Sequence, residues 1–146
     1  MGRLSEENTR AAFASHLQPE ETLQHVAMGI KQPSMLLIFP LYLLALLPGI
    51  IAVFLLTKTY YIGLTDRRLI ILRVSNGKYE TQEVREFPLS ALPGGATKTG
   101  ALFTHITLNA EPPFVAKFHR AVFSSNRPGA MAIGARVSGT ALPVAE

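Results

Sequence analysis

The sequence predicts an α+β fold: a small antiparallel sheet or barrel, closed by a C-terminal helix, with a hydrophobic membrane helix or helical hairpin inserted after the first strand. Three observations carry this. Residues 59–119 fall into short runs of β-branched and aromatic side chains separated by turn residues. After residue 126 the pattern changes to a helical period. Residues 35–56 (MLLIFPLYLLALLPGIIAVFLL) run for 22 positions without a charge, flanked by Lys31 and Lys58.

The elements are justified in chain order. Residues 5–17 read as a helix: Ser5 caps it, Glu6 and Glu7 suit the positive end of its dipole, and Ala12, Phe13 and Leu17 form an apolar face. Pro19 ends it. Residues 22–31 alternate as a strand, with Leu23, His25 and Ala27 on one face and Gln24, Val26 and Met28 on the other.

The uncharged stretch then defines the chain. As a helix it is roughly 33 Å long, against a hydrocarbon core of about 30 Å. A small soluble domain has no use for a helix that is apolar on every face. It starts too late for a usual secretory signal and lacks a small-residue cleavage site. Pro40 and the Pro48-Gly49 dipeptide leave two topologies open. One is a single kinked span. The other is a re-entrant hairpin of two half-helices, about 12 and about 9 residues long, each too short to cross. Such a tip needs its backbone polar groups covered, so membrane physics alone favours the single span.

Beyond Lys58, residues 59–64 (TYYIGL) and 69–74 (LIILRV) form a hairpin about the turn Thr65-Asp66-Arg67-Arg68, with Asp66 accepting backbone hydrogen bonds. Asn76-Gly77 is the strongest hairpin signal in the chain and leads to a strand over residues 78–87. Pro88 and Pro93-Gly94-Gly95 break the pairing. Residues 97–109 supply one long strand or two short ones kinked near Gly100, and residues 114–119 a last strand. The buried-face candidates are Ile62, Leu69, Ile71, Leu102, Ile106 and Phe118. In the closing helix, Ala130, Ile133, Gly134 and Val137 recur at i, i+3, i+4 and i+7, with Gly139 as the stop. Met131 and the small residues suggest close packing on the sheet. The organisation expected is an N-terminal helical segment (1–20), a domain containing the membrane segment (21–138) and a tail (139–146).

Charge bears on partners. Residues 1–34 carry three basic and four acidic groups and residues 57–146 eleven and six, so net charge steps from −1 to +5 across the apolar segment. A basic domain beside a bilayer suits anionic lipid, each lysine or arginine near the surface contributing about 1 kcal/mol. The basic residues are scattered without a basic run or an aromatic-rich signature, so no nucleic acid is expected. The chain has no cysteine. His16, His25, His105 and His119 lack metal-motif spacing; His105 and His119 can meet on neighbouring strands, where packing explains them. Glu80, Glu83 and Glu86 make no carboxylate pair for general acid–base chemistry, and Pro93-Gly94-Gly95 is no phosphate loop. No catalytic residue, metal or cofactor is expected.

The run of residues 60–71, YYIGLTDRRLII, resembles the second-to-third strand hairpin of the membrane-tethered bacterial pleckstrin-homology-like family. Members show an aromatic, a Leu-Thr-Asp or Val-Thr-Asn turn, an arginine and an aliphatic strand directly after a hydrophobic segment. The resemblance covers residues 20–138 and implies a bent, seven-stranded sheet closed at one end by a C-terminal helix. Two features depart from it. The family often has two full spans here, whereas this chain has 22 apolar residues. The basic motif by which eukaryotic relatives grip phosphoinositides lies in the loop that the apolar segment replaces, so headgroup recognition does not carry over. The resemblance also reverses the topology preference. A single span would strand residues 1–34 across the membrane and leave the sheet an edge short, so a helical hairpin turning at Pro48 and Gly49 is expected.

The expected function is a non-catalytic interaction or assembly module on the cytoplasmic face of a bacterial inner membrane. It would self-associate or recruit another membrane-associated protein. The alternative is a binder of lipid or small molecules, or a transport accessory. Lys31, Lys58 and Lys78 are the candidates for anionic headgroups. The tip Asp66, Arg67 and Arg68, roughly 20 Å from Lys58 at about 3.4 Å per residue, is the candidate partner surface.

Overall fold

The computed structural model describes residues 5–31, 50–51, 56–75 and 80–139. Helix α1 (Glu6–Phe13) runs into a 3-10 turn (Ala14–His16). Seven strands follow: β1 (Leu23–Lys31), β2 (Lys58–Thr65), β3 (Arg68–Val74), β4 (Thr81–Pro88), β5 (Gly95–Thr99), β6 (Phe103–Leu108) and β7 (Phe114–His119). Helix α2 (Asn126–Ser138) is the last element among the described residues. The strands make one antiparallel sheet in the order β4-β3-β2-β1-β7-β6-β5, with β4 and β5 as its edges.

The expected N-terminal helix is shorter than its sequence pattern: Ser5 accepts from the Asn8 amide at 3.1 Å as its cap, but the α-helix stops at Phe13. The stretch 97–109 is two strands joined by a turn around Gly100, whose amide donates to the Phe103 carbonyl at 2.8 Å. The Asn76-Gly77 turn, the tail from residue 140 and the expected turn at Pro48 and Gly49 lie outside the described residues. Among the described residues no helix is long and apolar enough to cross a membrane.

The sheet is buried on two faces, which explains why β3 reads LIILRV rather than alternating. Inward, Ile62, Leu69, Ile71, Ile106 and Phe118 join Ile133 and Val137 of α2 in the main core. Outward, Val26, Met28, Tyr61, Ile70, Leu72 and Val74 form a second cluster with Phe13 of α1. Phe13 is fully buried, a contribution on the order of 2 kcal/mol to docking α1. Leu102 departs from its expected place. It sits at the β5–β6 turn, 51% exposed, because the strand that would have buried it is interrupted there. Met131 is also exposed; the contact face of α2 is made by Ala130, Ile133, Gly134 and Val137.

β1 joins the two halves of the sheet, pairing along its length with β2 but with β7 only at Ile30 and Lys117. Where the next rung would put Met28 beside His119, Asn126 inserts its amide. Its Oδ1 accepts from Met28 N at 2.7 Å, and its Nδ2 donates to Met28 O at 3.0 Å and His119 O at 2.8 Å. The buried asparagine thus satisfies backbone groups that the splaying strands would orphan, and fixes the start of α2 on the seam. Arg85 of edge strand β4 donates to the Pro112 carbonyl at 2.8 Å, tying that edge to the β6–β7 turn.

Candidate functional site

Two regions hold the residues that the sequence singles out. The first is where the chain leaves and re-enters the sheet. Lys31 ends β1 and Lys58 begins β2, and the two are directly opposed as the last rung of that ladder. Paired residues on antiparallel strands have Cα atoms about 5 Å apart. Residues 32–57 therefore depart and return at one place. Both lysines are exposed. Like charges directly opposite each other disfavour the pairing, so the rung gains from any anion that approaches it.

Beside this rung lies a cleft of about 360 Å³ lined by Leu56, Lys58, Arg73, Ser75 and Gln82. Arg73 is aimed by two acceptors on β4, Glu83 at 3.3 Å and Gln82 Oε1 at 3.3 Å. Sequence reading missed Arg73, because inside LIILRV it looked like an isolated polar break in an apolar strand. The register that brings it toward Lys58 is the only signal for it. Lys78 lies outside the described residues. Ile50, Ile51 and Leu56 are helical, and their side chains are 47%, 51% and 47% exposed.

The second region is the β2–β3 tip. Its three candidate residues have different roles. Thr65, rather than Asp66, organises the turn: its hydroxyl oxygen accepts from the Arg67 and Arg68 amides at 3.0 and 2.9 Å. Asp66 reaches back to the start of β1. Its Oδ1 accepts from Thr22 N at 3.0 Å, and its own amide donates to Thr22 O at 3.1 Å. Arg68 is turned inward onto Glu21, whose side chain is fully buried, with Nε at 2.9 Å from Oε2 and Nη2 at 2.8 Å from Oε1. The same guanidinium also meets Glu86 and the His16 carbonyl.

The Thr65 hydroxyl and the Gln18 amide complete the Glu21 site, at 2.7 and 2.9 Å. Its carboxyl is held down to about 2, chiefly by the Arg68 hydrogen bonds and against the effect of burial. Arg67 is exposed, with one contact to Gln18 Oε1 at 3.4 Å. The tip is thus largely a clasp on the N-terminal segment. Arg67 is the member that projects outward, over a shallow groove it shares with Gln18, Glu86 and Pro88.

The histidines have separate surroundings. His25 has its pKa lowered, first by burial and then by Arg10. His105 and His119 share the outer face of β6 and β7 but are separated in register, His105 opposing Lys117 and His119 opposing Phe103. Both pack on the Phe103 ring, at 6.1 and 4.8 Å between centroids. Among the described residues no group of three or more histidines and carboxylates could hold a metal.

No family model and no curated protein matches the chain. Among solved structures, the hSac2 domain from human phosphoinositide phosphatase Sac2 is similar over 87% of this chain and 74% of its own, at 6% identity and a TM-score of 0.44. A likeness at that level carries no argument about fold or function.

Proposed function

We propose that this protein is a membrane-anchored, non-catalytic interaction module of pleckstrin-homology-like fold, with its bulk on the cytoplasmic face of a bacterial membrane. The observation that carries this reading is the Lys31–Lys58 rung. A 22-residue uncharged segment lies between two lysines that oppose each other on adjacent strands. A single crossing would separate its ends by about 30 Å, which one rung cannot accommodate. In this reading the segment enters the bilayer and returns, turning at Pro48 and Gly49. The exposed apolar side chains of Ile50, Ile51 and Leu56 support this reading, since they have reason to be exposed if lipid receives them.

In this reading Lys31, Lys58 and Lys78, joined by Arg73, meet anionic headgroups at the exit point. The membrane turn has backbone groups to cover, which favours self-association within the bilayer. The apolar interior argues against a ligand pocket between sheet and helix: Ile62, Ile71, Ile106, Phe118 and Ile133 fill that space and are at most 1% exposed. The test is flotation of the untagged protein with membranes, followed by washes in high salt and in alkaline carbonate. Retention through both washes is expected. Release by salt alone would overturn the anchoring.

A further inference from the structure

The excess positive charge is confined to one half of the sheet. Among the described residues, β5 through α2 (95–139) carry five basic groups and one acid, whereas everything before β5 carries seven and eight. On the outer face of β5–β7 the register aligns Lys98, His105 and Lys117 as one cross-strand row. Lys117 in turn opposes Ile30, one residue from the Lys31–Lys58 rung. On the outer face the row therefore reaches to within one residue of the chain's exit point, across three strands spaced about 4.8 Å apart.

The other outward positions of these strands are Ala96, Phe103, Thr107, Val115 and His119, with no carboxylate among them. The Phe103 ring lies under the Lys117 ammonium at 4.8 Å, and beside it Leu102 projects from the β5–β6 turn. Among the described residues, neither α1 nor α2 packs on this face, since α2 packs on the inner one and α1 on the outer face of β1 and β2. Lys98 and Lys117 flank His105 from the strands on either side of it.

We propose that this face is a second membrane contact, on which the domain lies against an anionic bilayer surface. The row supplies charge for phospholipid headgroups, and Leu102 with Phe103 supplies the apolar edge that enters the interface, the combination interfacial segments use. The occupant is the bilayer because the row begins one residue from where the chain enters it. This rests on the anchored reading and adds an orientation to it: the domain, held at the Lys31–Lys58 rung, reclines on the outer face of its C-terminal half-sheet.

The chain lacks cysteine, so Leu102→Cys gives a single labelling site. The full chain, carrying a fluorophore there, is reconstituted in nanodiscs of phosphatidylcholine alone or with phosphatidylserine, each containing nitroxide-labelled lipid. Strong quenching is expected only with phosphatidylserine. It is lost in Lys98→Glu/Lys117→Glu and restored in Lys98→Arg/Lys117→Arg, each lysine shifting the reclined population about five-fold. Equal quenching in both lipids, or quenching that survives the double charge reversal, would overturn the proposal. Flotation on pure phosphatidylcholine vesicles tests the anchor separately. A protein that floats there but shows no lipid-dependent quenching keeps its anchor and loses this face.

Discussion

Glu21 and Arg68 form a buried, two-point ion pair that joins the segment before β1 to the turn between β2 and β3, 47 residues apart in sequence. The pair closes a loop that contains the whole apolar segment, so the sheet's first hairpin is pinned at the end opposite the Lys31–Lys58 rung. Removing one partner leaves an uncompensated buried charge. Glu21→Gln is expected to lower stability by roughly 3 kcal/mol in denaturant titration, and Arg68→Ala by a similar amount. Arg67→Ala, next door but exposed, is expected to change it by less than about 0.5 kcal/mol. Equal effects at the two arginines would contradict the clasp.

The same pair sets a pH dependence. Folding holds the Glu21 carboxyl down to about 2 from an ordinary 4.5, so the folded state favours the ionised form. The contribution is fully present above pH 4.5 and is lost as pH falls from there toward 2. Its size is about 3 kcal/mol by linkage. Thermal melts across that window should show a fall in midpoint that Glu21→Gln flattens. An unchanged slope in the variant would show that other carboxylates carry the acid limb.

Asn126, itself fully buried, makes three hydrogen bonds at the seam between β1 and β7. Asn126→Ala should cost about 3 kcal/mol, since it orphans backbone groups of Met28 and His119. The local signature is faster hydrogen exchange at the Met28 amide, and protection equal to wild type there would contradict the seam role.

Helix α2 approaches β1 so closely that a Cβ on Gly129 would lie 2.3 Å from the Val26 carbonyl oxygen. Backbone meets backbone at this point, so neither side yields by a rotamer change. Gly129→Ala is expected to destabilise by about 2 kcal/mol despite its better helix propensity.

Much of the sheet was legible because its signals are local. The TYYIGL and LIILRV runs, the last strand and the i, i+3, i+4, i+7 face of α2 depend on periodicity alone, and the strands over 114–119 coincide with those found. What stayed hidden depends on register between distant segments. Glu21 gives no sign of its partner, because it lies between the expected helix and strand until Leu23 is known to oppose Thr65. Arg68 read as a free tip residue for the same reason. Leu102 is expected on the buried face but lies between β5 and β6, where the strand breaks. The Lys98–His105–Lys117 row spans three strands and has no linear signature at all.

The central claim is that the apolar segment leaves and re-enters the same side of the membrane. Because the chain has no cysteine, Gln32→Cys and Thr57→Cys each place one thiol at an end of that segment. Each variant is treated with a membrane-impermeant maleimide in right-side-out and in inverted inner-membrane vesicles. Both thiols are expected to label only in inverted vesicles, in which the cytoplasmic face is outside. Labelling of one thiol in each vesicle orientation would establish a single crossing and contradict the account.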